Sequence, residues 1–128
     1  MVYPRLARSL ASYCGDLAIG EDLAQEALAR AWERWAAVSE MDAPEMWVYR
    51  TGLNLARSRF RRRLRERHLL ERAGPDRFTP ATHEQSWADS VTVREAIARL
   101  PARQRAAVVL RSISELTPAT VRALSPST

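Results

Sequence analysis

The side chains in this sequence best suited to chemistry are arginines, and the chemistry they suit is binding rather than bond breaking. Arg50, Arg57, Arg59, Arg61, Arg62, Arg63, Arg65 and Arg67 fall within one short stretch, with Glu66 the only acid among them. No lysine occurs in the 128 residues, so all twenty basic side chains are arginine. A GC-rich coding bias accounts for arginine over lysine, but not for the clustering. A planar, permanently charged guanidinium pairs with phosphate through two N–H donors and stacks on base faces. The groups that catalysis or metal binding would need are sparse. His68 and His83 lack ligand spacing, and the single cysteine, Cys14, gives neither a disulfide framework nor a thiolate metal site. There is no phosphate-cradling glycine loop and no nucleophile–base pair. No catalytic residue, metal or cofactor is therefore expected.

Helical periodicity dictates how these arginines are held. Tyr49, Leu53, Ala56, Phe60 and Leu64 step by four, three, four and four, which makes a core-facing stripe on a helix expected over about residues 44–66. Arg50, Asn54, Arg57, Arg61 and Arg65 follow one residue later, a ridge about 100° around the same helix. Arg59, Arg62 and Arg63 widen it. Like charges at this spacing disfavour a helix by a few tenths of a kcal/mol per pair, so the arrangement needs a polyanion to justify it. Asp42, Pro44 and Glu45 supply a helix start. Upstream, a first helix is expected over residues 5–14, ending at Gly15. A second begins near residues 20–22, with Leu23, Ala24, Ala27, Leu28, Ala31, Trp32 and Trp35 as its apolar side. Residues 71–86 hold two prolines and a glycine and read as linker. A helix follows at about 89–99, another from Pro101 to Leu110, and a short one after Thr117.

Bulk properties agree with an all-α chain that meets a polyanion. Net charge is +5 with a pI near 10.6, 46% of residues are hydrophobic, and only four are glycine. No apolar run reaches the roughly 18 residues of a membrane span and no signal peptide is evident, so a cytoplasmic protein with no membrane insertion is expected.

Three blocks in order resemble bacterial RNA polymerase sigma factors of the extracytoplasmic-function (ECF) group of the sigma-70 family. YPRLARSLASYCGDLAIGEDLAQEALARAWERW is similar to the first two helices of sigma region 2, with Asp22, Leu23, Gln25 and Glu26 matching the D-L-x-Q-E signature. APEMWVYRTGLNLARSRFRRR resembles the following W-L-Y-R-x-x-x-N segment through Trp47, Tyr49, Arg50 and Asn54. AIARLPARQRAAVVLR resembles the opening of region 4. The resemblance implies three parts: region 2 over residues 1–67, a flexible linker over 68–88 and a partial region 4 over 89–128.

What the resemblance implies is a sigma factor that binds core RNA polymerase and directs promoter recognition and melting. Asp22, Gln25 and Glu26, with Glu33 and Arg34 at the periphery, would dock on the coiled coil of the largest polymerase subunit, the Trp32/Trp35 side staying buried. The loop at about 37–43, through Ser39, Met41 and Asp42, would line a pocket for an unpaired base of the melted non-template strand. Trp47 is a candidate stacking surface or a core residue. Arg50, Asn54, Arg57, Arg59, Arg61, Arg62 and Arg65 would track DNA. An anti-sigma factor is a further candidate partner.

The chain departs from the family pattern in two places. Ser58 stands where an aspartate is usual. After LRSISELT, the stretch ELTPATVRALSPST only loosely resembles the first helix of a helix-turn-helix, and no recognition helix for the upstream element is expected within it. Impaired upstream recognition and loose packing beyond about residue 88 are the expectations that follow. The alternative function is a non-initiating interaction module that binds core polymerase or an anti-sigma factor.

Overall fold

The computed structural model describes residues 2–73 and 91–124, which form seven helices and no strand. They are α1 (Val2–Cys14), α2 (Leu17–Glu33), α3 (Trp35–Val38), α4 (Pro44–Ala73), α5 (Val91–Ala98), α6 (Ala102–Ser112) and α7 (Pro118–Leu124). The all-α expectation holds.

Local chemistry fixes the first corner. Gly15 takes a left-handed φ of 77°, and both its N–H and that of Asp16 return to the Ala11 carbonyl, at 2.7 and 3.1 Å. Asp16 then caps α2, its carboxylate accepting the Ile19 N–H at 3.1 Å, so α2 begins earlier than the expected residue 20. The returning helix passes very close to the first. A Cβ on Gly20 would lie 2.4 Å from the Ala11 nitrogen, so only glycine permits this approach.

Side-chain contacts set the register of the bundle. Gly52 of α4 sits beside Leu6 and Leu10 of α1 and Ala27 of α2. Further along, the Cys14 thiol faces the Ala56 carbonyl, the Tyr13 and Phe60 rings meet edge to face at 5.9 Å, and Arg63 donates to the Cys14 carbonyl at 3.2 Å. Thus α1 and α4 run in parallel, with α2 antiparallel to both. Leu6, Leu10, Tyr13, Ala24, Ala27, Leu53 and Ala56 form the centre of the core. Each fully buried Leu contributes roughly 1.5–3 kcal/mol.

The C-terminal helices lie along α1 and α4 as an antiparallel strap. Arg105 of α6 reaches Tyr13 and Phe60, the Ser114 hydroxyl hydrogen-bonds that of Ser9, and the Ala123 carbonyl of α7 accepts from Arg50. Ala106, Val109 and Leu110 are fully buried and belong to the same core cluster as α1 and α4. For α6 and α7 this corrects the loose packing expected beyond residue 88. The apolar side of α6 finds its partners on α1 rather than in a separate C-terminal domain. The helix α4 also continues to Ala73, past the expected boundary at 67, while the rest of the expected linker, residues 74–88, lies outside the described residues.

Three apolar residues expected on core-facing stripes are exposed instead. Trp32 is 74% exposed and Trp35 47%. Trp32 lies about 120° around α2 from the mean direction of its buried residues, at 3.6 residues per turn, beyond the core face. Trp35 follows a break in the helix at Arg34 and no longer shares its phase. Leu64 is exposed because α1 has already ended, three residues after Ala11 meets Gly20, leaving no neighbour for that turn.

Candidate nucleic-acid and protein-docking surfaces

Thirty residues at 1.5 Å each make α4 about 45 Å long, and only its first part is sunk in the bundle. Tyr49, Leu53 and Ala56 are buried and Phe60 is half-buried, so these side chains fix the rotation of the helix. Arg50, Asn54, Arg61, Arg62 and Arg65 consequently reach solvent. Arg57 and Arg59 are half-buried at the edge of the row. Arg57 donates to the Asn54 side chain at 3.4 Å, while its Nε is buried without a hydrogen-bond partner. An unsatisfied buried donor costs roughly 1–3 kcal/mol.

Not every arginine of the run faces outward. Arg63, expected to widen the ridge, instead turns in to cap the C-terminal carbonyl of α1 at Cys14. Arg63 and Arg59 stabilise a Cys14 thiolate, yet burial outweighs them and pushes the thiol up to about 11. Burial likewise raises the Tyr13 phenol, against the opposing charge of Arg105. Arg50 is exposed but engaged, its Nη2 donating to the Ala123 carbonyl at 3.0 Å.

Asp22, Gln25, Glu26, Glu33 and Arg34 are all exposed on α2 and at its end. Glu26 accepts from Arg30 at 2.8 Å, an exposed i,i+4 pair of little energetic weight. Their spacing leaves an accessible polar stripe opposite Ala24 and Ala27. Ser39, Met41 and Asp42 are exposed in the turn between α3 and α4, with Ser39 Oγ donating to the Ala36 carbonyl. Trp47 is half-buried and packs against the core, and Tyr49 is buried, so any stacking at this end falls to Trp47 rather than Tyr49.

The sequence reading missed an aromatic surface at the same end of the bundle. Trp32 and Trp35 stack on each other, with ring centroids 6.4 Å apart and planes 27° from parallel. The signal lay in the angular width of the α2 stripe, too broad for one buried face. It also missed Arg105, 5% exposed, whose guanidinium lies 3.7 Å from the Phe60 centroid and 4.8 Å from that of Tyr13.

Among the described residues no cluster of three or more His, Cys, Asp or Glu side chains can hold a metal, and no helix is long and apolar enough to cross a membrane. What the described surface offers is charge and shape: a row of guanidiniums along α4 and a mixed-charge face on α2. The family profile described as Sigma-70 region 2 matches residues 1–66, which is 66 of 128 residues. Neither a search of curated proteins nor one of solved structures gave a match.

Proposed function

The chain belongs to the sigma-70 family, whose region 2 it carries in residues 1–66, and from that premise we propose how its surfaces serve transcription initiation. A region 2 places core RNA polymerase and promoter DNA among its partners and makes the chain an initiation factor, not an enzyme. Within the family we assign it to the ECF group, acting in the cytoplasm, with α5 to α7 as the opening part of a region 4.

The polar stripe of α2, centred on Asp22, Gln25 and Glu26 with Glu33 and Arg34 beyond, docks on the coiled coil of the largest polymerase subunit. Short carboxylates and an amide there meet basic side chains of the partner. On α4, Arg57, Arg59, Arg61, Arg62 and Arg65 follow the phosphates, and Asn54 adds a polar contact. The turn carrying Ser39, Met41 and Asp42, with Trp47, receives an unpaired base of the non-template strand. An anti-sigma factor is a further partner of the same surfaces.

The observation that carries this reading is the outward row of guanidiniums on a helix whose other side is anchored in the core. It is tested by capture of core polymerase, followed by open-complex formation on a promoter with a pre-melted start-proximal element. The full chain is compared with a variant carrying Arg57→Ala, Arg61→Ala and Arg65→Ala. Capture by both and opening only by the parent is expected. Equal opening by the two would remove the arginine row from the mechanism. A second reading, a non-initiating module that binds polymerase or an anti-sigma factor, draws on the engagement of Arg50 by α7. Capture without opening by the parent chain would favour it.

A further inference from the structure

Arg105 is a buried charge whose described partners are all neutral. It is 5% exposed, and its Nε and Nη2 donate to the carbonyls of Ile97, Ala98 and Leu100. The Tyr13 and Phe60 rings against which it lies carry no charge either. Among the described residues no carboxylate pairs with it. Buried charges are ordinarily paired, because neutral dipoles replace only part of the hydration lost.

Two further donors beside it lack an acceptor. Tyr13 is 1% exposed and its Oη has no hydrogen-bond partner; neither has the buried Nε of Arg57. Arg57 stands one turn before Phe60, whose ring meets that of Tyr13 edge to face at 5.9 Å. Burial raises the Tyr13 phenol, but Arg105 and Arg57 both act to lower it, so the two charges reach the same hydroxyl. The Cys14 thiol, which opposes them, keeps its proton up to about 11. A hydroxyl and a guanidinium N–H free to donate, with a second guanidinium close by and no described carboxylate among them, call for an acceptor that carries negative charge.

We infer that Tyr13, Arg57 and Arg105 frame an internal site for one small inorganic anion, of the size of chloride, where α1, α4 and α6 meet. The Tyr13 hydroxyl and Arg57 Nε donate to it, and its charge offsets that of Arg105. A water molecule would satisfy the donors but neutralise nothing. The Tyr13 hydroxyl is sealed from solvent, so a nucleic-acid phosphate does not reach it, and the site does not rest on the arginine-row reading.

The test sets chloride against gluconate, an organic anion too bulky for so enclosed a site. Both are sodium salts, mixed at a constant ionic strength of about 0.2 M, and the Tm of the full chain is followed by far-UV circular dichroism. An anion bound only by the folded chain raises Tm, by about 4 °C once chloride is tenfold above its Kd. Tyr13→Phe keeps the ring and removes one donor, so most of that rise is expected to disappear. Arg61→Ala with Arg65→Ala, which thins the exposed row, should keep it. Equal Tm in the two salts for the parent would overturn the proposal in favour of a neutral occupant. A full chloride-dependent rise in Tyr13→Phe would overturn it too, as the sign of an adventitious ion only, held by surface arginines. Either result leaves DNA binding by the row as it stands.

Discussion

Arg105 offers the sharpest check on the way the two ends of the chain are joined. Its guanidinium is buried, donates to the Leu100 carbonyl at 2.7 Å and more loosely to those of Ile97 and Ala98, and lies against two aromatic faces. A buried hydrogen bond from a charged donor contributes about 1.5–3 kcal/mol, and each cation–π contact roughly 0.5–1 kcal/mol or more when desolvated. Against these stands the cost of burying the charge, so the gross sum overstates the net. Arg105→Ala removes the contacts, leaves carbonyls at the end of α5 without their donor and opens a void over Phe60. A loss of about 3–4 kcal/mol is expected, a large share of the 5–15 kcal/mol typical of a domain. Arg105→Lys keeps the charge but neither the fork nor the flat stacking surface, and should cost about 2 kcal/mol. Urea unfolding followed by far-UV circular dichroism measures both, and the lysine variant stays measurable if the alanine variant does not fold. A cost below about 1 kcal/mol for Arg105→Ala, with an unchanged denaturant slope, would refute the buried clasp.

Other expectations follow from single contacts. Gly20→Ala forces α1 and α2 apart at Ala11 and should cost about 2–3 kcal/mol, read as a lowered Tm. A loss under 0.5 kcal/mol, on the order of an ordinary surface change, would contradict the close approach. Cys14 keeps its proton in the folded state up to about 11 but loses it near 9.0 when exposed, so the unfolded chain binds fewer protons between those values and stability falls as pH rises through that window. The part due to Cys14, about 2–3 kcal/mol at most, should vanish in Cys14→Ala when the two denaturation curves are compared across pH. The same thiol should react with a maleimide only after unfolding. Trp32→Ala should leave Tm within about 2 °C of the parent, because an exposed ring contributes little burial; a larger drop would place Trp32 in the core.

What the sequence made legible were features written in one period. The stripe of Tyr49, Leu53 and Ala56 placed the arginines on the outer side of α4, because rotation of a helix is set by its own apolar residues. Asp22, Gln25 and Glu26 were legible as an exposed face for the same reason. Features that depend on a second element were not. Whether Leu64 is buried depends on where α1 stops. Arg63 looked like one more ridge residue, but it is drawn inward by the unsatisfied carbonyls at the end of α1. The burial of Val109 and Leu110 depends on the outer face of α1, remote in sequence, and no local pattern announces that partner. Nothing in its local sequence sets Arg105 apart, and only the placing of Tyr13 and Phe60 beside it makes its burial tolerable.

The contact between Ser9 and Ser114 spans 105 residues, and that separation shapes how the molecule assembles. Closing so long a loop costs on the order of 4 kcal/mol of chain entropy before the strap contributes any packing energy. The hairpin of α1 and α2 and its pairing with the start of α4 involve nearer neighbours and should form first. Until residues 105–114 emerge from the ribosome and arrive, the flank of α1 that holds Ser9 and Tyr13 has no cover. A nascent chain therefore presents an apolar strip during synthesis, and the interval before the strap docks is when aggregation or capture by a chaperone competes with folding.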